Sequence, residues 1–294
     1  MDVREIEAKS ILNRCGIPGI DFVVNPYIGC RFACKYCYAS FMGRFVGKTV
    51  ADWGEYVYAK VNAPELLRAE LPKKLKNKGA GKEIFFSSVT DPYQGMEVKH
   101  QLTRACLEEL IAFDFEGLVS ILTKSDLVLR DINLFKKLPR VSVGLTVTST
   151  DDGVSRFFET YAPPSSRRIE ALTTLHKQGI NTYAFIGPLL PHFVAQEDAL
   201  DRLMEAIAAS GTRDVFVEHL NLSAYIRTRL MEEMKREEHD IVETFYSSQS
   251  KEYRDELDVL VRRLLTKHDL RLILNQTIYH KEFQKKPDKA GRIV

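Results

Sequence analysis

Six short apolar runs recur along the chain with helix-patterned segments between them, and this alternation limits the possible folds more than any other feature. The runs are "DFVVNPYIG" (21–29), "EIFFSSV" (Glu83 to Val89), "LVSILTKS" from Leu118, "VSVGLTVTST" from Val141, "INTYAFIGPLL" from Ile180 and "DVFVEHLNL" from Asp214. They are rich in Val, Ile and Phe and bounded by Gly, Pro or charge, which predicts strands. Between them, "NAPELLRAELPKKLKNKG" predicts a helix capped by Asn62 and stopped at Gly79, with Pro72 kinking or breaking it. "KHQLTRACLEELIAF" puts Leu102, Ala105, Cys106, Leu110 and Phe113 on one helical face. "PSSRRIEALTTLHKQG" and "EDALDRLMEAIAASG" close at Gly179 and Gly211. Strand–helix alternation predicts a parallel sheet with helices packed outside it. Right-handed crossovers wind such a sheet into a barrel or an open doubly wound layer, and the alternation leaves both open. In either, chemistry belongs at the C-terminal ends of the strands. Polar residues fall late in these runs: Ser87 and Ser88, Lys124, Thr148 and Ser149.

From about Tyr225 the texture becomes strongly charged and helical, and "LRLILNQTIYH" then reads as one more strand. The expected organisation is an N-terminal segment (1–20), a βα core (21–224) and a helical C-terminal extension (225–294) packed on the same domain. Net charge is +2, so the whole molecule makes no electrostatic case for nucleic acid. Basic clusters at Lys73–Lys82 and in "KEFQKKPDK" read as solvated. The start, "MDVREIEAKS", has no apolar core of a signal peptide, and no stretch approaches the roughly 18 apolar residues that cross a bilayer. The expectation is a cytoplasmic protein with no membrane partner, its thiols reduced.

"GCRFACKYCYA" holds Cys30, Cys34 and Cys37, while the chain has five cysteines in all. An odd number clustered at one place does not predict a disulfide framework. Zinc normally takes four ligands. A fourth would have to come from Cys15, Cys106 or a histidine. Cys106 reads as core, and Cys15 reaches the loop only if its segment folds back. An iron–sulfur cube held by three thiolates instead leaves one iron free to bind a small molecule.

The loop resembles that of the radical S-adenosylmethionine (SAM) superfamily. Within it, "NPYIGCRFACKYCYA", "AKVNAPELL" and "SSVTDPYQ" are similar to the spore photoproduct lyase and photolyase-like group, over about Asp21 to Leu222. The resemblance implies a partial (β/α)6 TIM-type barrel, a [4Fe–4S] cluster and SAM. It implies a cluster that donates an electron and cleaves SAM to a 5'-deoxyadenosyl radical, which abstracts hydrogen from an unidentified substrate. It implies a lyase- or transferase-type reaction and a reductant such as flavodoxin or ferredoxin.

Carried over residue by residue, Cys30, Cys34 and Cys37 would ligate three irons, with Phe32 and Tyr36 shielding the cluster. Tyr36 would lie near the adenine of SAM, and Tyr38 would stand near SAM and help relay the radical. Ser87, Ser88, Thr90 and Asp91 would face the SAM ammonium, Lys124 its carboxylate, and Thr146, Thr148 and Ser149 the ribose. His192, Glu218, His219 and Asn221 are candidate substrate contacts at the rim. One departure stands out. The lyases place a hydrogen-donating cysteine near the end of the second strand, whereas "FFSSVTDP" has none and puts Ser88 there. A serine O–H bond is too strong for that role, so DNA photoproduct repair is the alternative and not the expectation. A non-catalytic iron–sulfur or zinc protein is the other alternative.

Overall fold

The computed structural model describes residues 1–235 and 237–280. The "KEFQKKPDK" cluster lies outside the described residues. Among the described residues, eleven strands form in chain order: β1 (Asp2–Ile6), β2 (Leu12–Arg14), β3 (Phe22–Val24), β4 (Tyr27–Ile28), β5 (Tyr56–Lys60), β6 (Glu83–Phe86), β7 (Leu118–Thr123), β8 (Val141–Val147), β9 (Asn181–Leu189), β10 (Asp214–His219) and β11 (Arg271–Leu272). Eight of them make one sheet in the order β2-β3-β6-β7-β8-β9-β10-β11. Pairing is parallel from β3 through β11, and only β2 is antiparallel.

This order decides between the two architectures that alternation allows. A doubly wound sheet reverses direction at a switch point. Here each new parallel strand is added on the same side, so the sheet winds one way, as in a barrel. β2 and β11 remain as separate edges, and the barrel is partial.

Helices fill the crossovers: α1 (Ala63–Lys74), α2 (Glu97–His100), α3 (Leu102–Ala112), α4 (Ile132–Phe135), α5 (Asp152–Phe158), α6 (Ser165–Lys177) and α7 (Glu197–Ala209). After β10 come α8 (Ala224–Glu233), α9 (His239–Ser247) and α10 (Lys251–Lys267). On β8, Val143, Leu145 and Val147 are buried in one core with Ala171, Leu172 and Leu175 of α6. Burial of each such side chain is worth about 1.5–3 kcal/mol. The same core takes in Ile226 and Leu230 of α8, Phe245 of α9 and Val261 of α10, so the charged C-terminal part packs on the barrel.

Several local expectations are corrected. Asn62 stands at the N-cap position of α1, but its side chain makes no capping bond. Its amide instead accepts from the Ala8 N–H at 2.8 Å and donates to the Ala8 carbonyl at 2.9 Å, tying in the N-terminal segment. That segment is built into the sheets: β1 pairs with β5, and β2 folds back on β3. Pro72 sits inside the last turn of α1, which ends at Lys74, before Gly79. "DFVVNPYIG" is two strands, because Pro26 interrupts it and β4 leaves for the smaller β1-β5-β4 sheet. "LRLILNQTIYH" forms only the short β11 and one bridge from Ile278 to Glu218.

Candidate active site

The cysteine loop leaves β4 at Gly29 and is fixed from both sides. Gln94 brackets its start: its amide nitrogen donates to the Gly29 carbonyl at 3.1 Å, and its oxygen accepts from the Arg31 N–H at 2.8 Å. The Thr90 hydroxyl also donates to the Gly29 carbonyl, at 2.6 Å. Just upstream, the Tyr27 hydroxyl donates to the buried carboxylate of Glu97. Ala33 takes a left-handed φ of +54°, costly for a residue with a side chain. Gly54 backs it, and any Cβ there would meet the Ala33 methyl at 2.4 Å. From the far end of the chain, Arg229 donates to the Cys34 carbonyl at 2.9 Å.

The three loop sulfurs are unpaired; Cys30 and Cys34 are buried and Cys37 half-buried. Burial pushes all three thiols up, that of Cys34 to about 12. Three such groups shed their protons only against a compensating positive centre. Among the described residues, the one trio of potential ligand atoms within 4.8 Å of one another is the exposed His239, Asp240 and Glu243. The three loop sulfurs do not all lie within that distance of one another. Thiolates around one zinc lie about 3.8 Å apart, from bonds of about 2.3 Å in a tetrahedron. Cys106 is buried in the core, and Cys15 lies beyond β2 with its sulfur accepting from the Ile17 N–H.

The second half of the site follows from strand periodicity. In-register partners Thr146, Phe185 and Phe216 share the sheet face away from the helices, as do Leu122, Gly144 and Tyr183. Side chains alternate with period two. The same face therefore continues to Lys124 after Leu122 and to Thr148 after Thr146, and Glu218 follows Phe216 where the β10 register shifts. Ser87 has a left-handed φ of +68°, and its buried hydroxyl has no hydrogen-bond partner. Beside it, Lys124 approaches Glu159 at 3.9 Å.

Glu159, at the end of α5, organises this corner. The Tyr36 hydroxyl donates to it, Thr148 donates to it at 2.6 Å, and Arg168 pairs with it at 2.5 Å. Both members of the ion pair are wholly buried. Burial works against the Glu159 charge, but Arg168 and Lys124 outweigh it and hold the carboxyl below its usual range. Burial likewise opposes the Lys124 charge, and Cys34 and Glu159 more than offset it.

Other predicted residues fall in different places. Asp91 is committed to protein partners: Thr123 at 2.6 Å, the Tyr93 N–H at 2.9 Å and the Lys124 N–H at 2.9 Å. Ser149 accepts from the Asp151 N–H in a local turn, and the Thr146 carbonyl accepts from Arg168. Ser88 offers its carbonyl to the Tyr38 hydroxyl, and Tyr38 is 43% exposed at the mouth of the barrel. Glu218 faces the mouth, held by His280 at 2.8 Å, and His192 is exposed on a loop. His219 and Asn221 do not face it. His219 points the other way, 1% exposed, against Tyr253 and Tyr279, and Asn221 caps Ser223.

Sequence reading missed Glu159, Arg168, Gln94 and Arg229. A signal existed for Arg168, which shares the helical spacing i, i+3, i+4, i+7 with Ala171, Leu172 and Leu175 and so stands at a core position. A charge there calls for a buried partner.

A partial parallel barrel that carries three free thiols on one loop, with Lys124 and the hydroxyl-bearing Ser87 and Thr148 at its strand ends, is the architecture of an α/β enzyme. The radical SAM superfamily matches residues 24–214, and the chain belongs to it: this is a radical SAM enzyme. Membership implies a [4Fe–4S] cluster and SAM, and the free thiols, the orphan Ser87 hydroxyl and Lys124 fit that pair. An uncharacterised protein of Methanocaldococcus jannaschii is 41% identical over 197 residues, covering 67% of this chain and 71% of the relative. The radical SAM Nalpha-GlyT isomerase of Pseudomonas phage M6 is 26% identical over 199 residues, 66% of this chain and 38% of that protein. The structure of spore photoproduct lyase complexed with dinucleoside spore photoproduct superposes with a TM-score of 0.68 at 14% identity, covering 90% and 79% of the two chains. No helix among the described residues is long and apolar enough to cross a membrane.

Proposed function

We propose that Cys30, Cys34 and Cys37 ligate three irons of a [4Fe–4S] cluster, and that Ser87, Lys124 and Thr148 receive SAM beside the fourth. Held there, such a cluster would supply an electron for reductive cleavage of SAM and hence the means to abstract hydrogen from a substrate. The chain's own contribution is placement. Arg168 takes the second Glu159 oxygen, so that the Lys124 ammonium, 3.9 Å from the first, has only a loose partner and can also meet the carboxylate of SAM. The Ser87 hydroxyl is an acceptor for the ammonium. Glu159 fixes the Tyr36 ring against the sulfurs. Phe32, 3% exposed, keeps water from the loop. Tyr38, 43% exposed, would pass hydrogen between cofactor and substrate.

One observation carries this reading: three free thiols on one loop, two of them, Cys34 and Cys37, within electrostatic reach of the Lys124 ammonium. Spore photoproduct lyase and Nalpha-GlyT isomerase are named for different reactions, so likeness to them does not select a substrate. A net charge of +2 and the absence of cysteine from Glu83 to Asp91 disfavour DNA photoproduct repair. A low-potential flavodoxin or ferredoxin would supply the electron. Anaerobic reconstitution tests the reading. About four irons and four sulfides per chain are expected, with 5'-deoxyadenosine formed from SAM under dithionite. Replacing Cys30, Cys34 or Cys37 by Ala should abolish both. A chain that binds one zinc instead, or that loads its cluster and never cleaves SAM, overturns it.

A further inference from the structure

Helix α8 lies beyond the residues that match the superfamily, yet three of its side chains grip the cysteine loop. They are Tyr225, Arg229 and Glu233, spaced four apart and so on one helical stripe. The Tyr225 hydroxyl donates to the Tyr38 carbonyl at 3.0 Å. Arg229 donates through one nitrogen to the Cys34 carbonyl at 2.9 Å and through another to the Ala33 carbonyl at 3.4 Å. Glu233 pairs with Lys35 at 3.2 Å. The stripe thus spans Ala33 to Tyr38, a stretch that includes Cys34 and Cys37. Ile226 and Leu230, buried on the neighbouring face, anchor the helix to the core.

Two consequences follow for the loop. First, Ala33 sits in a conformation an alanine disfavours, and the Arg229 fork holds the carbonyls on either side of the Ala33–Cys34 peptide's turn in place. Second, a permanent positive charge is brought to the loop while its hydrogen-bond acceptors there are neutral carbonyls. One-electron reduction adds negative charge to a cluster already surrounded by thiolates. A nearby cation favours the reduced form, and its removal lowers the potential.

We propose that Arg229 is a positioning residue that fixes the cysteine loop and raises the reduction potential of the cluster this loop holds. The proposal rests on the cluster assignment above. Its test has two arms, so that the two ideas fail separately. In the first, reconstituted Arg229→Gln, Arg229→Lys and wild-type proteins are titrated anaerobically with dithionite, without SAM, and followed by electron paramagnetic resonance. Arg229→Gln should shift the oxidised-to-reduced ratio at least tenfold at a fixed poise, which is about 59 mV for one electron. Arg229→Lys keeps the charge and should restore the wild-type potential. A fully loaded Arg229→Gln protein with the wild-type potential overturns the electrostatic half.

The second arm uses the cluster-free protein and needs no cofactor. Hydrogen exchange at residues 33–38 should accelerate several-fold in Arg229→Gln and in Arg229→Lys relative to wild type. The Tyr225→Phe/Glu233→Gln double variant leaves Arg229 in place and should show a smaller acceleration of the same amides. If Arg229→Gln does not fold, this double variant decides the matter. Wild-type exchange in it overturns the grip. Wild-type protein that loads no cluster overturns the proposed function, while the exchange arm still reports on α8.

Discussion

The Tyr36 hydroxyl donates to the carboxylate of Glu159, 123 residues further along the chain. One residue of the cysteine loop is thereby fastened to the same buried oxygen that accepts from Thr148 and lies 3.9 Å from Lys124. The two halves of the site, loop and strand ends, share a single anionic hub whose charge Arg168 neutralises.

That hub makes Arg168→Met a costly change. It leaves Glu159 buried with Lys124 as its remaining cation. Breaking a buried pair from one side costs about 3–5 kcal/mol. The urea-unfolding free energy should fall by that amount. Glu159→Gln/Arg168→Met removes both charges and keeps an amide oxygen for Tyr36 and Thr148. Its loss should be smaller than the sum of the singles by about 1 kcal/mol or more. Strict additivity would show that the pair is not coupled.

His219 gives stability a pH dependence away from the cysteines. Burial between Tyr253 and Tyr279 is the main cause that depresses its pKa to about 4, and Arg254 adds to it. The folded value lies below the unfolded one, near 6.5. Between those values the unfolded chain takes up a proton that the folded chain refuses. Stability should therefore fall as pH drops from about 6.5 toward 4, by up to about 1.4 kcal/mol per unit, and not change further from this group below that. His219→Phe should flatten that slope in urea melts at pH 5, 6 and 7. An equal slope in the variant assigns the effect to other groups.

What was legible in the sequence was local. The strands of the barrel are short apolar runs with sharp ends, and the three thiols sit within eight residues, so periodicity and spacing found both. What was not legible is long-range. Asn62 has the chemistry of a cap, but its amide is claimed by Ala8, and no local rule weighs that competition. β1 carries no strand signal, because "DVREI" shows no period-two alternation, lies on an exposed edge and pairs only with β5. Lys124 was found because a lysine ending an apolar strand is odd in itself. Arg229 was not, because it lies 195 residues from Cys34, and nothing local in its helix ties it to the loop. His219 was misplaced by a one-residue choice of face, since its neighbour Glu218 points to the mouth.

Ser87 separates a ligand-binding role from a structural one. Its hydroxyl is buried and unpartnered in the protein alone, so removing it takes away a desolvated group and no hydrogen bond. Alanine and serine pay similarly for the left-handed φ of +68°. Ser87→Ala should thus leave the melting temperature unchanged or slightly raised. If the hydroxyl meets SAM, affinity for SAM should fall by roughly tenfold, the worth of about 1.4 kcal/mol for a hydrogen bond to a charged group. Equilibrium binding to the reconstituted protein measures this. A destabilised variant with unchanged SAM affinity would falsify the assignment.

Gly54 offers the most direct test of what shapes the cysteine loop. Its φ is +97°, and a Cβ there would fall 2.4 Å from the Ala33 methyl. Gly54→Ala forces the two backbones apart at about 1–3 kcal/mol for overpacking, with about 1–2 kcal/mol more for the left-handed conformation. The strain falls on the loop, whose other neighbours are held by Gln94 and Arg229. Iron bound per folded chain should drop well below wild type even where circular dichroism is native. Ala33→Gly removes the opposing methyl and suits the φ of +54° at that position. The double variant Gly54→Ala/Ala33→Gly should therefore regain most of the iron while keeping the backbone cost at residue 54. If iron stays low in the double variant, the contact between these two residues is not what sets the spacing of the three thiols.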